Sequence, residues 1–376
     1  MNTKIAQFLT EHSPETPCLV VDLDLIAEAY ELLSRYLSVA SIYYAVKANP
    51  APEIVAMLAR KGSNFDVASP AEIALCLGNG ATAERLSFGN TIKKEKDIAF
   101  AYQAGVRLFA FDSAGELEKL ARQAPGARVF CRILVSCEGA DWPLSRKFGC
   151  TPEMAVGLLA EARRLGLDPY GVSFHVGSQQ TDLGQWDRAI GAVARMFTLL
   201  AATDINLRMV NIGGGFPARY QGEVASIERY AQAVTDALTH HFGNRLPEII
   251  VEPGRSLVGD AGLIQSEVIL ISDKGDGEGK RWVYLDVGKF NGLAETMGEC
   301  IRYRIQAPGR SGPAGPVIIA GPTCDSADIL YERTEYRLPL DLAVGDKVEI
   351  LSTGAYTASY ASVGFNGFPP LRTYCV

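Results

Sequence analysis

The stretch Ser41-Ile42-Tyr43-Tyr44-Ala45-Val46-Lys47-Ala48-Asn49-Pro50 decides how this chain is read. A short apolar run enters a polar turn that Pro50 closes, which predicts a buried strand over Ile42–Lys47. Strands buried on both faces of a parallel sheet are continuously apolar, so a lysine at the C-terminal end is out of place. Either its stem snorkels into water, or it is a desolvated amine of lowered pKa, able to form a Schiff base with an aldehyde. The second reading requires companions elsewhere: a phosphate-holding turn, a carboxylate and a flat group.

Outward from this stretch the chain alternates. Strands are expected at Asn64–Ala68, Arg85–Gly89, Arg107–Asp112, Ala127–Val135, Gly171–Gly177, Arg208–Gly213 and Glu248–Glu252. Helical patterns fall between them at Pro52–Arg60, Pro70–Leu77, Lys93–Ala104, Ala114–Gln123, Pro152–Leu165, Gln185–Ala202 and Ser226–His241. Several open on a capping residue followed by proline, as in Ser69-Pro70 and Thr151-Pro152. About eight strand–helix units over about 210 residues match a (β/α)8 barrel; an open doubly wound sheet is the alternative. The run Gly213-Gly214-Gly215 comes late rather than after the first strand, which counts against a dinucleotide-binding start.

After Glu252 the texture changes. Strand-like runs at Leu263–Ile271, Arg281–Asp286, Pro316–Ala320 and Lys347–Ser352 are separated by turns at Lys274–Gly279 and Ala307–Gly315. This predicts two domains: a barrel over residues 27–252, and a β-domain formed by 253–376 with residues 1–26, whose strand at 16–22 joins it. The composition, 48% hydrophobic and 21% charged, is that of an ordinary globular protein. Net charge is −7, which argues against nucleic acid or an anionic membrane as partner. The first ten residues lack a signal-peptide core, and no apolar run is long enough to span a bilayer. Eight scattered cysteines without a Cys-x-x-Cys pair read as reduced thiols in the cytoplasm, not as a disulfide or zinc framework.

In a barrel the reactive groups sit where strands end. Here those ends carry Lys47, Asp66, Arg132, His175 with Ser178, the glycines 213–215, and Glu252 with Arg255. Singly each has a dull reading, since a lone histidine near a strand is usually a core residue and a glycine triplet usually a turn. Together they form a pattern.

The pattern resembles the fold-type-III pyridoxal-phosphate decarboxylases, the ornithine/lysine/diaminopimelate/arginine decarboxylase family, and is most similar to the bacterial ornithine decarboxylases. The motifs run over nearly the whole chain: Ala45-Val-Lys-Ala-Asn49, His175-Val-Gly-Ser178, Gly213-Gly-Gly-Phe216, Glu252-Pro-Gly-Arg255, Gly321-Pro-Thr-Cys-Asp325 and Gly354-Ala-Tyr-Thr357. The resemblance implies an α/β fold, a TIM-like barrel of the alanine-racemase type plus a C-terminal all-β domain. It implies that Lys47 holds pyridoxal 5'-phosphate (PLP) as a Schiff base, with Glu252 on the pyridine nitrogen and His175 stacked on the ring. Gly213, Gly214, Gly215, Ser178, Arg255 and Tyr356 would hold the phosphate, with Asp66 and Arg132 beside Lys47 and the cofactor. It also implies a homodimer with shared active sites. Cys324 would return a proton to the α-carbon in the partner's site, Asp325 would bind a distal ammonium, Phe365 would line the substrate, and Lys147 and Asp328 would pair between subunits.

One segment departs from the pattern. Gly298 stands where ornithine decarboxylases carry a second acid for the distal amine, and Arg304 stands where proline is common. Glu295 and Glu299 are the candidates to replace that acid. The expected reaction is α-decarboxylation of a basic L-amino acid, ornithine to putrescine first. Lysine, diaminopimelate and a non-standard amino acid are alternatives; Asp325 speaks against diaminopimelate, whose enzymes usually carry glutamate there. A racemase would set arginine against the pyridine nitrogen, and a non-catalytic homologue would have no use for Lys47 and Cys324 together.

Overall fold

The computed structural model describes residues 3–142, 147–275 and 279–376; the 276–278 part of the Lys274–Gly279 turn lies outside the described residues. The chain divides into two units. One comprises Ala27–Pro217 and Val224–Gly254; the other comprises Ala218–Glu223 and Arg255–Val376 together with the N-terminal residues through Ile26.

Eight parallel strands close the first unit into a barrel. In chain order they are Ala40–Ala45, Asn64–Val67, Leu86–Phe88, Leu108–Phe111, Arg128–Arg132, Asp168–Ser173, Met209–Asn211 and Glu248–Val251. The last pairs with the first in the register Val251↔Ile42, so no edge remains. Most of these strand residues are buried because helices cover one face and the barrel interior takes the other. Tyr43, Leu108, Ala110, Phe130, Met209 and Ile250, from five strands, meet in one cluster.

Local chemistry starts the helices on time. Ser69 accepts from the Glu72 N–H (3.2 Å), and the Glu72 carboxylate accepts from the Ala68 N–H (2.7 Å), a reciprocal cap. Ser113, Thr151 and Ser226 cap three more helices, and proline occupies the first turn at residues 52, 70 and 152. The observed strands stop one to four residues short of the sequence reading. The first ends at Ala45, and Lys47 lies in the single 3₁₀ turn Val46–Ala48 rather than in the strand.

The second unit is a mixed sheet. Its main path runs Ile305–Gln306, Lys347–Leu351, Gly262–Ser272, Arg281–Leu285, Ala314–Ala320, Ile329–Pro339. Cys18–Val21 pairs antiparallel with Gly262–Ser272 and parallel with Arg372–Cys375, so the N-terminal strand belongs to this sheet. Helix Thr3–His12, absent from the sequence reading, lays Ile5 and Leu9 against Cys18, Val20 and Leu263. Strand Ile329–Pro339 was also unforeseen: Glu332-Arg333-Thr334-Glu335 breaks the apolar alternation of a strand that lies at the end of the path.

Candidate active site

Five charged or titratable side chains converge at the C-terminal ends of the barrel strands. Lys47 Nζ lies 3.3 Å from Asp66 Oδ2, and Asp66 is buried while the lysine side chain is 50% exposed. The sequence reading of a desolvated lysine is therefore corrected: this amine is half-open and balanced by a buried carboxylate. Gly89 makes room for that carboxylate, since a Cβ there would stand 2.0 Å from Asp66 Oδ1. Asp66 Oδ1 is buried and, among the described residues, has no hydrogen-bond partner, an orphan acceptor at a candidate site.

Glu252 follows the last barrel strand and carries a carboxyl pushed up to about 7, first by burial and then by the charge of Asp66; Lys47, a hydrogen bond from Asn211 and Arg132 oppose the rise. His175 is held well below 6.5 by burial, then by the charges of Arg132 and Lys47, so its ring is neutral at neutral pH. Its Nδ1 accepts from the Gly177 N–H (3.1 Å), which assigns the ring proton to Nε2. Burial lowers Arg132, against the raising charges of Glu252 and Asp66. Perturbed acids and bases facing one another at strand ends are the usual electrostatics of a reaction site.

The glycines 213–215 form a tight turn beside this cluster. Gly213 (φ +66°) and Gly215 (φ +108°) lie in left-handed territory, and a Cβ on Gly214 would stand 2.7 Å from the Glu252 carbonyl oxygen. That Cβ would be 3.5 Å from His175 Nε2, so the imidazole borders the turn. Ser178 begins the short strand Ser178–Gln180, opposite Trp142 of Ala140–Trp142.

Apart from Lys147, the remaining sequence-assigned residues lie in the β-unit. Arg255 is buried, donates to Glu295 from Nη1 (2.8 Å) and Nη2 (2.6 Å), and donates to the Tyr220 hydroxyl (2.7 Å). Its guanidinium is also 4.9 Å from the Tyr356 ring centroid. Burial works to lower its pKa, yet Tyr220, Glu295 and Tyr356 hold it well above the ordinary arginine value. Glu299 takes the N–H groups of Glu332, Arg333 and Thr334 and the Thr334 hydroxyl. Burial raises it and these four bonds outweigh burial, bringing it down to about 2. Cys324 is exposed, and its N–H donates to Asn366 Oδ1 (3.0 Å); Asp325 accepts from Ala327 N–H (2.8 Å). Phe365 packs on Phe290 with centroids 4.6 Å apart.

Residues 23–259 match the family described as pyridoxal-dependent decarboxylase, pyridoxal binding domain. The chain belongs to this family. It is 34% identical over 370 residues to the lysine/ornithine decarboxylase of Selenomonas ruminantium, covering 98% of this chain and 91% of the relative. Among solved structures, the Selenomonas ruminantium lysine decarboxylase in complex with PLP and cadaverine is similar with TM-score 0.89 at 32% identity, over 100% of this chain and 94% of that one. The arginine decarboxylase of Paramecium bursaria Chlorella virus matches with TM-score 0.91 at 27% identity over the whole of both chains. The protein is thus a PLP-dependent decarboxylase of the kind that acts on basic amino acids.

The barrel mouth of this decarboxylase fits the cofactor. It offers an amine beside a buried acid, a carboxyl poised near neutrality, a neutral ring, and a glycine cradle that any side chain would fill. Two readings change. Glu295 and Glu299 were candidates for a distal-amine acid, but the first is committed to Arg255 and the second to the backbone of Ile329–Pro339. Asp328 is 3% exposed and accepts from the N–H groups of Lys289 (2.8 Å) and Thr323 (3.1 Å) and from the Thr323 hydroxyl (2.7 Å), so its carboxylate ties its own turn to the backbone at Lys289. Lys147 Nζ is 4.9 Å from the Phe148 ring centroid. The sequence reading missed Asn211 and Gly89. A polar residue at the end of an otherwise apolar strand, immediately before Ile212 and the triglycine, was the signal for Asn211.

Proposed function

We propose that this decarboxylase removes the α-carboxyl of L-ornithine to give putrescine. The observation that carries the chemistry is the cluster at the barrel mouth: Lys47 against Asp66, with the Glu252 carboxyl pushed up to about 7 and the His175 ring neutral near neutral pH. PLP supplies an electron sink for the electrons left on the α-carbon when CO₂ departs. Lys47 is the amine that takes the cofactor's aldehyde, with Asp66 balancing its charge. Glu252 holds a proton at the pyridine nitrogen, His175 offers a flat neutral face, Arg132 sets a cation beside them, and Gly213–Gly215 with Ser178 take the phosphate. Arg255, kept cationic by Glu295, and Tyr356 are assigned to the phosphate by family resemblance.

Cys324 is proposed to return the proton to the α-carbon and Asp325 to bind the distal ammonium, with Phe365 lining the substrate. Both Cys324 and Asp325 are exposed, which supports the family's arrangement of a homodimer with shared sites. All eight cysteines are free thiols, which supports a reducing, cytoplasmic setting. Among the described residues no helix is long and apolar enough to cross a membrane.

A second reading has its own support. At Gly298, where an acid was expected, the backbone carbonyl accepts from Arg333 (3.0 Å). A cation there favours a longer or less basic substrate than ornithine. CO₂ release from PLP-loaded protein separates the two, tested on L-ornithine, L-lysine, L-arginine, meso-diaminopimelate and 2,4-diaminobutyrate. Preference for ornithine, lost in Lys47→Ala, is the expected result; no turnover of any of the five would overturn the substrate assignment.

A further inference from the structure

Asn211, at the end of the seventh barrel strand, is completely buried and makes two hydrogen bonds at once. Its Oδ1 accepts from the Gly213 N–H (2.9 Å), and its Nδ2 donates to Glu252 Oε1. A backbone N–H can only donate, so the amide is fixed with its oxygen toward Gly213 and its NH₂ toward Glu252. We propose that Asn211 is the positioning residue of the cofactor site: it ties the acid of the pyridine nitrogen to the first glycine of the phosphate turn and holds that acid as a hydrogen-bond acceptor. This rests on the PLP reading given above.

The side-chain type matters because two jobs are done without a proton. Any short acceptor could satisfy Gly213. A carboxamide accepts there through one atom and donates to Glu252 through another at every pH; a carboxyl group donates only while protonated. The other groups facing Glu252 are Asp66, Lys47 and Arg132, from the second strand, the turn after the first and the fifth. Asp66 already repels the Glu252 charge, so a second carboxylate at position 211 would make three acids share one neighbourhood, and their titrations would couple.

The test is equilibrium binding of PLP to cofactor-free protein, followed by quenching of intrinsic fluorescence across a pH series, for wild type, Asn211→Asp and Asn211→Ala. Asn211→Asp keeps the Gly213 bond and changes only the donor. It should bind PLP within about threefold of wild type at acid pH, where a proton is shared, and at least about tenfold more weakly once that proton leaves. Asn211→Ala should be weaker by at least about tenfold throughout. A constant ratio of Asn211→Asp to wild type across the series would overturn the proposal, leaving Asn211 as a filler for Gly213. Wild-type affinity in Asn211→Ala would do so too; should that variant fail to fold, Asn211→Asp still decides. Failure of wild type itself to bind PLP would instead overturn the cofactor reading on which the proposal stands.

Discussion

Replacing Glu295 by alanine removes the carboxylate that accepts two hydrogen bonds from Arg255, at 2.6 and 2.8 Å, with both side chains about 5% exposed or less. Breaking a buried pair by deleting one partner leaves a charge without compensation, which costs about 3–5 kcal/mol. For a unit of this size each kcal/mol is worth about 2–4 °C, so the melting temperature should fall by roughly 6–20 °C. Glu295→Gln keeps one acceptor oxygen and should lose less, about 1–3 kcal/mol. The assay is urea unfolding followed by circular dichroism, paired with KM values for ornithine and for a neutral analogue of equal length. Both variants should lower the unfolding midpoint and leave the ratio of the two KM values unchanged. If Glu295→Gln unfolds like wild type while raising KM for ornithine alone, the carboxylate faces the substrate, and its assignment to Arg255 is wrong.

Other outcomes follow from the same geometry. Gly89→Ala places a Cβ 2.0 Å from Asp66 Oδ1, so the carboxylate that pairs with Lys47 must shift; PLP affinity should drop at least about tenfold, measured by cofactor titration. In cofactor-free protein Glu252 keeps its proton up to about 7, whereas the unfolded chain gives it up near 4.5. Its stabilising contribution is full below 4.5 and is lost as pH rises through 7, and Glu252→Gln should flatten that part of the unfolding-midpoint profile. His175 has the opposite sign: its pKa is lowered, so its contribution is full above 6.5 and is lost as pH falls through the depressed folded value, which a proton-NMR titration of the ring would follow. Glu299, at about 2, contributes stability above 4.5 that is lost as pH falls toward 2, and Glu299→Gln should remove that acid limb in a denaturation series.

The sequence by itself determined the alternation of strands and helices, the number of barrel strands, and the positions where reactive groups end those strands. Those features are local: strand burial writes a continuous apolar run, helix starts write Ser/Thr and proline, and a strand end needs only one misplaced polar residue to declare itself. Helix Thr3–His12 escaped because its apolar stripe is short and depends on packing against Cys18, Val20 and Leu263. Strand Ile329–Pro339 escaped because its stability comes from pairing and from Glu299 gripping its backbone, not from alternation. Only the tertiary structure decided what each charged group is paired with. Glu295 read as a substrate acid until Arg255, 40 residues away, claimed it. Asn211 was silent until the barrel brought Glu252 to it across 41 residues. Periodicity records which face of an element is buried, whereas the partner of a buried polar group is set by closure of the fold, because an unpaired one costs too much to keep.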